Sequence, residues 1–155
     1  MSEFSTLVQE YYKNPVNNIR MEDAMISRHE GNAICWDDIT VYMKYSLPEW
    51  VAMAGENLPA RSNTGRMQSV VTERTYDWNV SMVTQAAASF FSELIIWKTF
   101  SEILTWTEQL MIENWFEVSS RRRRARIIAL LATRNAIHHL LQDSKEDTFD
   151  DVLWE

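Results

Sequence analysis

The sequence predicts an all-α domain built around one buried central helix, and three observations lead to this prediction. Neither glycine nor proline occurs after Gly65, whereas the tight turns between antiparallel strands favour residues that tolerate positive φ. Apolar residues recur at helical spacing through much of the chain. The segment 80–100 is apolar around nearly its whole circumference, which is typical of a helix buried on all sides.

The N-terminal part is predicted to hold one helix and a linker. Apolar residues spaced at i, i+3, i+4 and i+7 place an amphipathic helix over residues 3–13. Pro15 follows and cannot continue this helix. Residues 14–34 are mainly polar, so we expect a linker there.

The next part is predicted to be helical with two interruptions. A helical stretch is expected from residue 36 to 58, with a break before Pro48, which suits the first turn of a second helix. Residues 59–65 contain proline, serine, asparagine and glycine and predict a loop. Another helix is expected over 66–76.

The second half supplies the predicted central helix and the helices around it. The central helix is expected over residues 78–98, and the charges within it argue against a membrane span. Two later segments carry apolar stripes that could cover it. The stripes consist of Phe100, Ile103, Leu104, Leu110, Met111 and Trp115, and of Ile127, Leu130, Leu131, Ile137 and Leu141. Residues 143–155 are expected to form an acidic tail.

Composition restricts the functional classes. The chain has 155 residues, which fits one domain, 1–155. Its net charge of −7 disfavours nucleic acid as a partner, because phosphate contacts need a surplus of Lys and Arg. Cys35 is the only cysteine, which excludes an intrachain disulfide and fits a reducing compartment such as the cytoplasm. No stretch has the length and apolarity of a membrane-spanning helix, so we expect no transmembrane anchor.

Catalytic and metal chemistry have little support in the sequence. Cys35 could act as a nucleophile beside a histidine, but a small, partly buried hydrophobe is the preferred interpretation. His138 and His139 are adjacent, so on a helix they point roughly 100° apart and cannot bind one metal ion from one face. His29 lies in the predicted linker, without zinc-site spacing. We therefore expect no enzyme, no metal and no cofactor.

A run of arginines, Arg121–Arg124, together with Arg126, forms a basic cluster in this acidic chain. The preferred interpretation is a solvated helix start that pairs with acidic neighbours. Contact with an anionic membrane, nucleic acid or an acidic partner is the functional alternative.

Several segments together resemble the Bcl-2 family of apoptosis regulators. Residues 47–58, LPEWVAMAGENL, resemble the third homology motif of that family, with Ala54, Gly55 and Glu56 as its small–glycine–acid core. Residues 65–71, GRMQSVV, resemble the start of the family's fourth helix. The order and approximate spacing of these segments agree with the family.

The resemblance continues at residues 77–80, DWNV, where the family's Asn-Trp-Gly-Arg motif opens the central helix. Only Trp78 matches that motif, and Val80 replaces its arginine. The resemblance implies a Bcl-2-like helical bundle, specifically a compact pro-survival homologue of the kind carried by large DNA viruses. Such a protein would act in the host cytoplasm and could be recruited to mitochondria by its partners.

The implied function is inhibition of apoptosis by capture of pro-apoptotic Bcl-2 homology 3 helices in a hydrophobic surface groove. The groove residues implied by the resemblance are Leu58, Met67, Val70, Val71, Arg74, Trp78, Asn79, Met82 and Val83. Arg74 is the nearest substitute for the missing family arginine, and Arg66 is the next. An open groove also predicts self-association into a homodimer. The alternative is a helical adaptor or structural interaction protein that shares only the architecture.

Overall fold

The computed structural model describes residues 5–33, 37–47, 63–79 and 81–153 and shows a mixed α/β fold. The strands are β1 (Ile26–Asn32), β2 (Asp37–Ser46) and β3 (Val70–Asn79). The helices are α1 (Thr6–Lys13), α2 (Asn63–Arg66), α3 (Met82–Leu94), α4 (Phe100–Ile103), α5 (Glu108–Glu113), α6 (Arg123–Leu141) and α7 (Phe149–Val152), with a 3₁₀ turn at Ser120–Arg122. The all-α prediction is therefore wrong.

The three strands form one antiparallel sheet in the order β1-β2-β3. Asn32 lies opposite Asp37 in the first pair, and Asp38 lies opposite Asn79 in the second. The β1–β2 connection and the end of β3 therefore lie at the same edge of the sheet. We call this edge the hairpin end.

Strand β2 occupies sequence for which a helix was predicted, because its burial alternates with a period of two. Ile39, Val41 and Met43 are buried toward the helices, and Thr40 and Lys44 are only half-buried on the other face. Side chains of a strand alternate between its two faces in this way. The helices predicted over 36–58 and 66–76 are wrong where β2 and β3 lie, and β1 lies inside the predicted linker.

Both long helices cover one face of the sheet. Helix α6 packs against β1 and β2, and α3 packs beside α6, against β3 and α1. Helices gathered on one face of an antiparallel sheet are typical of an α+β domain. Helix α3 confirms a buried helix within the predicted span 78–98, although it is shorter. Its buried side chains include Val83, Ala86, Ala87, Ala88 and Phe91.

The segment after α1 is packed against the core instead of forming a free linker. The Asn17 side-chain amide donates to Ser92 Oγ at 2.8 Å, and the Asn17 carbonyl accepts from the Tyr76 N–H at 3.0 Å. Ser89 Oγ hydrogen-bonds the Tyr76 hydroxyl and the Val16 carbonyl. The segment after α1 is thus fixed to β3 and α3.

The acidic segment after α6 also folds back onto the domain. The Asp147 N–H donates to Asn135 Oδ1 at 2.7 Å, and Val152 is fully buried. Across the residues that the structure describes, no helix has the length and apolarity needed to cross a membrane.

Candidate functional site

Asp37 joins the hairpin end of the sheet to the start of helix α3. Its carboxylate accepts hydrogen bonds from the Ser81 N–H at 2.6 Å, from Ser81 Oγ at 3.1 Å and from Thr84 Oγ1 at 2.6 Å. Asp37 is buried. A carboxylate suits this position because the first N–H groups of a helix lack partners and its N-terminus carries partial positive charge.

Helix α6 lies across the sheet. Its C-terminal half lies beside β1, where Asn135 Nδ2 donates to Glu30 Oε1 at 2.9 Å. The Leu140 carbonyl accepts from Arg66, in the segment before β3, at 3.4 Å. The N-terminus of α3, next to Asp37, directs its partial positive charge toward the hairpin end.

The arginine run at the start of α6 is divided between buried and exposed positions. Glu108 of α5 is buried and accepts from Arg123 Nη2 and Arg126 Nη2, each at 2.6 Å. Burial raises the pKa of Glu108, but hydrogen bonds from the two arginines outweigh it and hold the pKa below its usual value. The acidic partner agrees with the preferred interpretation of the run, but Arg126 is buried instead of solvated. Arg121 is exposed in the 3₁₀ turn before α6.

Cys35 belongs to the β1–β2 connection and lies outside the described residues. The chain on either side of it is described up to Ala33 and from Asp37 onward. Next to this connection, the described chain holds Asp37, which caps the start of helix α3. Helix N-termini and nearby arginines are the surroundings in which thiols and other sulfur anions are stabilised.

A second charged cluster surrounds His138 near the C-terminus of α6. Its Nδ1 lies 2.7 Å from Asp143 Oδ2, and its Nε2 lies 3.1 Å from Asp147 Oδ2. Arg134 Nε donates to the same Asp147 oxygen at 2.7 Å. Burial raises the pKa of Asp143, but the hydrogen bond with His138 contributes to a net lowering. This cluster fastens the C-terminal segment to α6, and sequence reasoning considered His138 only as a metal ligand.

The predicted groove residues whose side chains the structure describes are divided between the core and the half-buried surface. Val71, Arg74 and Val83 are buried, so their side chains are closed to a ligand. Met67, Val70 and Met82 are half-buried on three different elements. Trp78 and Asn79 belong to β3, and their side chains are not described; Leu58 lies outside the described residues.

Arg74, the predicted partner of a ligand aspartate, points into the core. Its guanidinium donates to Thr133 Oγ1 at 3.3 Å and to the carbonyls of Ala88 and Ala129 at 3.4 Å. It also lies 4.7 Å from the centre of the Phe91 ring. Burial lowers the pKa of Arg74 to about 9. The residue is part of the packing between β3, α3 and α6.

Comparison with known proteins identifies a different fold from the one expected. No protein-family profile matches the sequence, and no curated protein matches it. Solved structures do match. One is a protein named as an iron–sulfur cluster assembly scaffold for the SUF system, from Fervidobacterium islandicum AW-1. It has a TM-score of 0.59 and 16% identity, over 86% of this chain and 95% of its own.

A second match is the N-terminal part of a nitrogen-fixing NifU-like protein from Brucella abortus, with a TM-score of 0.60 and 14% identity. It covers 91% of this chain and 95% of its own. The chain has a NifU-like fold. At this level of identity the similarity establishes the fold alone.

These matches overturn the Bcl-2 assignment. A Bcl-2-like bundle has no sheet, whereas here residues 77–79, expected to open the central helix, belong to a strand. Inhibition of apoptosis, a viral origin, pro-apoptotic partners and recruitment to mitochondria were inferred from that assignment and are withdrawn with it. The alternative of a helical adaptor gains no support from the matches either.

Proposed function

We propose that this protein serves iron–sulfur cluster assembly as a non-catalytic sulfur carrier, with Cys35 as the residue that accepts sulfur. The observation that carries the proposal is the likeness of nearly the whole chain to proteins named as iron–sulfur scaffolds or NifU-like. The cytoplasm is part of the proposal, since a single free cysteine suits a reducing compartment.

The cargo of a scaffold is an iron–sulfur cluster, and the residues of one chain do not fit a complete cluster. Protein-bound clusters are commonly held by four cysteine thiolates, whereas this chain has one cysteine. Within residues 5–33, 37–47, 63–79 and 81–153, no group of three or more His, Cys, Asp and Glu side chains is placed to hold a metal ion. Asp37 is already occupied as the cap of α3.

A single thiolate is sufficient for sulfur transfer. The Cys35 thiolate would attack the outer sulfur of a donor persulfide on a partner protein, forming a new S–S bond. The S–S bond of the donor breaks, and the donor cysteine leaves as a thiolate. Atoms and charge balance without an external oxidant or reductant, as in thiol–disulfide exchange.

The electrostatics of the hairpin end support this role. Helix α3 begins there, with Asp37 at its N-terminus. Positive helix ends and arginine side chains favour thiolate and persulfide anions over their neutral forms. The preference for Cys35 as an inert hydrophobe rested on its residue type alone.

The test is incubation of the purified chain with a cysteine desulfurase and cysteine under anaerobic conditions, followed by intact-mass spectrometry. We expect the mass of one added sulfur atom, reversed by dithiothreitol and absent in Cys35→Ser. A wild-type protein that gains no sulfur, or a Cys35→Ser protein that gains as much, would overturn the proposal. Iron–sulfur reconstitution in parallel should give no cluster absorbance on the isolated monomer, and a stable cluster there would replace the carrier role with a scaffold role.

A further inference from the structure

A surface cavity between helix α1 and the turn that follows helix α5 is separate from the sulfur-carrier proposal. Its volume is about 480 Å³. Leu7 and Trp115 supply its largest apolar side chains, and Glu10 and Glu117 supply its charges. The other lining residues are Ser5, Thr6 and Asn114. We call it the Trp115 cavity.

Trp115 has a backbone conformation that its residue type disfavours. Its φ is 62°, in the left-handed region. Its N–H donates to the Ile112 carbonyl at 3.1 Å, and the following Phe116 N–H donates to the Met111 carbonyl at 2.9 Å. These two bonds form the helix-ending motif in which glycine usually occupies the left-handed position. A bulky side chain there is a conformational outlier.

The fold does not compensate this conformation by burying the indole. Trp115 is 74% exposed, whereas the neighbouring Phe116 is fully buried and stacks on Phe90. Phe116 therefore anchors the turn, and a glycine at 115 would serve the turn better. Strained residues of this kind concentrate at ligand clamps and other functional sites.

The charge of the cavity indicates the chemistry of its occupant. Glu10 and Glu117 are both exposed, and no Lys, Arg or His is among the lining residues that the structure describes. The face of an indole attracts Lys and Arg side chains, and Leu7 and Trp115 offer apolar surface beside the carboxylates. We propose that the Trp115 cavity docks a segment of a partner protein that carries Lys or Arg next to an apolar anchor.

The test uses two short fluorescein-labelled amphipathic peptides that share leucine anchors and differ only in carrying Lys or Glu at the polar positions. Fluorescence anisotropy should show binding of the Lys peptide, weakening as salt is added. The Glu peptide should bind at least about tenfold more weakly, because like charges disfavour the encounter. The charge reversal Glu10→Lys with Glu117→Lys should invert this preference.

Trp115→Gly separates docking from folding. This variant should lose the Lys peptide while its urea midpoint stays equal or rises, since glycine suits the left-handed position. Trp97→Gly is the matched control: Trp97 also has a left-handed φ, of 66°, and is 68% exposed, but it does not line the Trp115 cavity. It should bind the Lys peptide as the wild type does.

Three results would overturn the proposal. The first is equal binding, or no binding, of the two peptides by the wild type. The second is an equal loss of binding in Trp97→Gly and Trp115→Gly. The third is a wild-type dimer in sedimentation that Trp115→Gly converts to a monomer, which would make the cavity an interface between two copies of this chain.

Discussion

Replacing Arg74 with methionine should leave the protein as stable as the wild type at neutral pH, or more stable. The substitution removes a fully buried guanidinium whose hydrogen bonds, to Thr133 and to the carbonyls of Ala88 and Ala129, are all 3.3–3.4 Å long. Among the described residues, no carboxylate forms an ion pair with it. The Phe91 ring, 4.7 Å away, is its other electrostatic partner.

The opposing free energies are of similar size. Burial lowers the pKa of Arg74 from 12.5 to about 9, and a difference of about 3.5 pKa units corresponds to about 5 kcal/mol against the charged folded state. Three hydrogen bonds from a charged group return about 4–5 kcal/mol at about 1.5 kcal/mol each, the lower end of their range. Methionine adds apolar contacts, so we expect a gain of about 0–3 kcal/mol in the free energy of unfolding.

Urea unfolding at pH 7, followed by tryptophan fluorescence, measures this difference. Arg74→Ala is the control: it removes the same charge but leaves a cavity, and it should be less stable than Arg74→Met by about 2–4 kcal/mol. A loss of more than about 2 kcal/mol in Arg74→Met would refute the argument, because it would show that the guanidinium contacts outweigh desolvation.

The pH dependence gives an independent check with a defined sign. Since the folded-state pKa of Arg74 lies below its unfolded value, the folded state bears the full desolvation cost below about pH 9. Above that pH the unfolded chain binds more protons than the folded one, so the contribution of Arg74 to the free energy of unfolding rises with pH. The free energy of unfolding of the wild type should therefore rise relative to that of Arg74→Met as the pH passes about 9. A difference between the two proteins that does not change with pH would contradict the lowered pKa of Arg74.

Three further predictions concern other buried polar side chains. Asp37→Asn should lower the free energy of unfolding by about 1–3 kcal/mol in urea titrations, because the α3 N-terminus loses its carboxylate cap. Glu108→Gln should cost about 3–5 kcal/mol by leaving two arginines without an anion. The fold lowers the pKa of Glu108, so the Glu108 carboxylate stabilises the folded state at pH values above its unfolded pKa. This stabilisation is lost as the pH falls through the folded pKa, and acid titrations of Glu108→Gln should not show that loss. His138→Gln should speed amide hydrogen exchange in residues 143–153, as measured by mass spectrometry, whereas exposed His139→Gln should leave it unchanged.

The helical parts of the fold were predictable from the sequence because their signal is local. The spacing of Leu7, Val8 and Tyr11 gives helix α1, and the apolar run within 80–100 gives α3. The strands were missed for a topological reason. The absence of glycine and proline after Gly65 does not bear on this sheet, because the β1–β2 connection, residues 33–36, and most of the β2–β3 connection, residues 47–69, precede that position.

The sequence did carry a strand signal in β2 that the helical interpretation overlooked. Ile39, Val41 and Met43 alternate with polar residues, and β-branched and aromatic residues are enriched there. The alternation is weaker in β3, because the pairing register between β2 and β3 shifts at a β-bulge between the β2 residues Lys44 and Tyr45. This bulge changes which residues face the core, so a simple alternation does not extend through the strand.

The candidate sites depend on contacts between residues far apart in sequence. Asp37 is the first residue of β2, and nothing in its sequence neighbours indicates that it caps helix α3, whose N-cap residue is Ser81. Arg74 was predicted to line a ligand groove, because an arginine in a polar run is rarely buried alone. Cys35 was interpreted as an inert hydrophobe from its residue type alone, and it lies outside the described residues.

The Glu108 cluster links the arginine run to the turn that presents Trp115. Arginines at the start of α6 oppose the helix dipole, and the buried Glu108 carboxylate supplies the negative charge that a helix N-terminus favours. Arg126 also donates to the Phe116 carbonyl at 3.1 Å. One ion cluster therefore satisfies the start of α6 and holds the residue next to Trp115. This explains how a left-handed tryptophan persists at the surface: the contacts that fix its turn lie in the buried residues on either side of it, not in the indole.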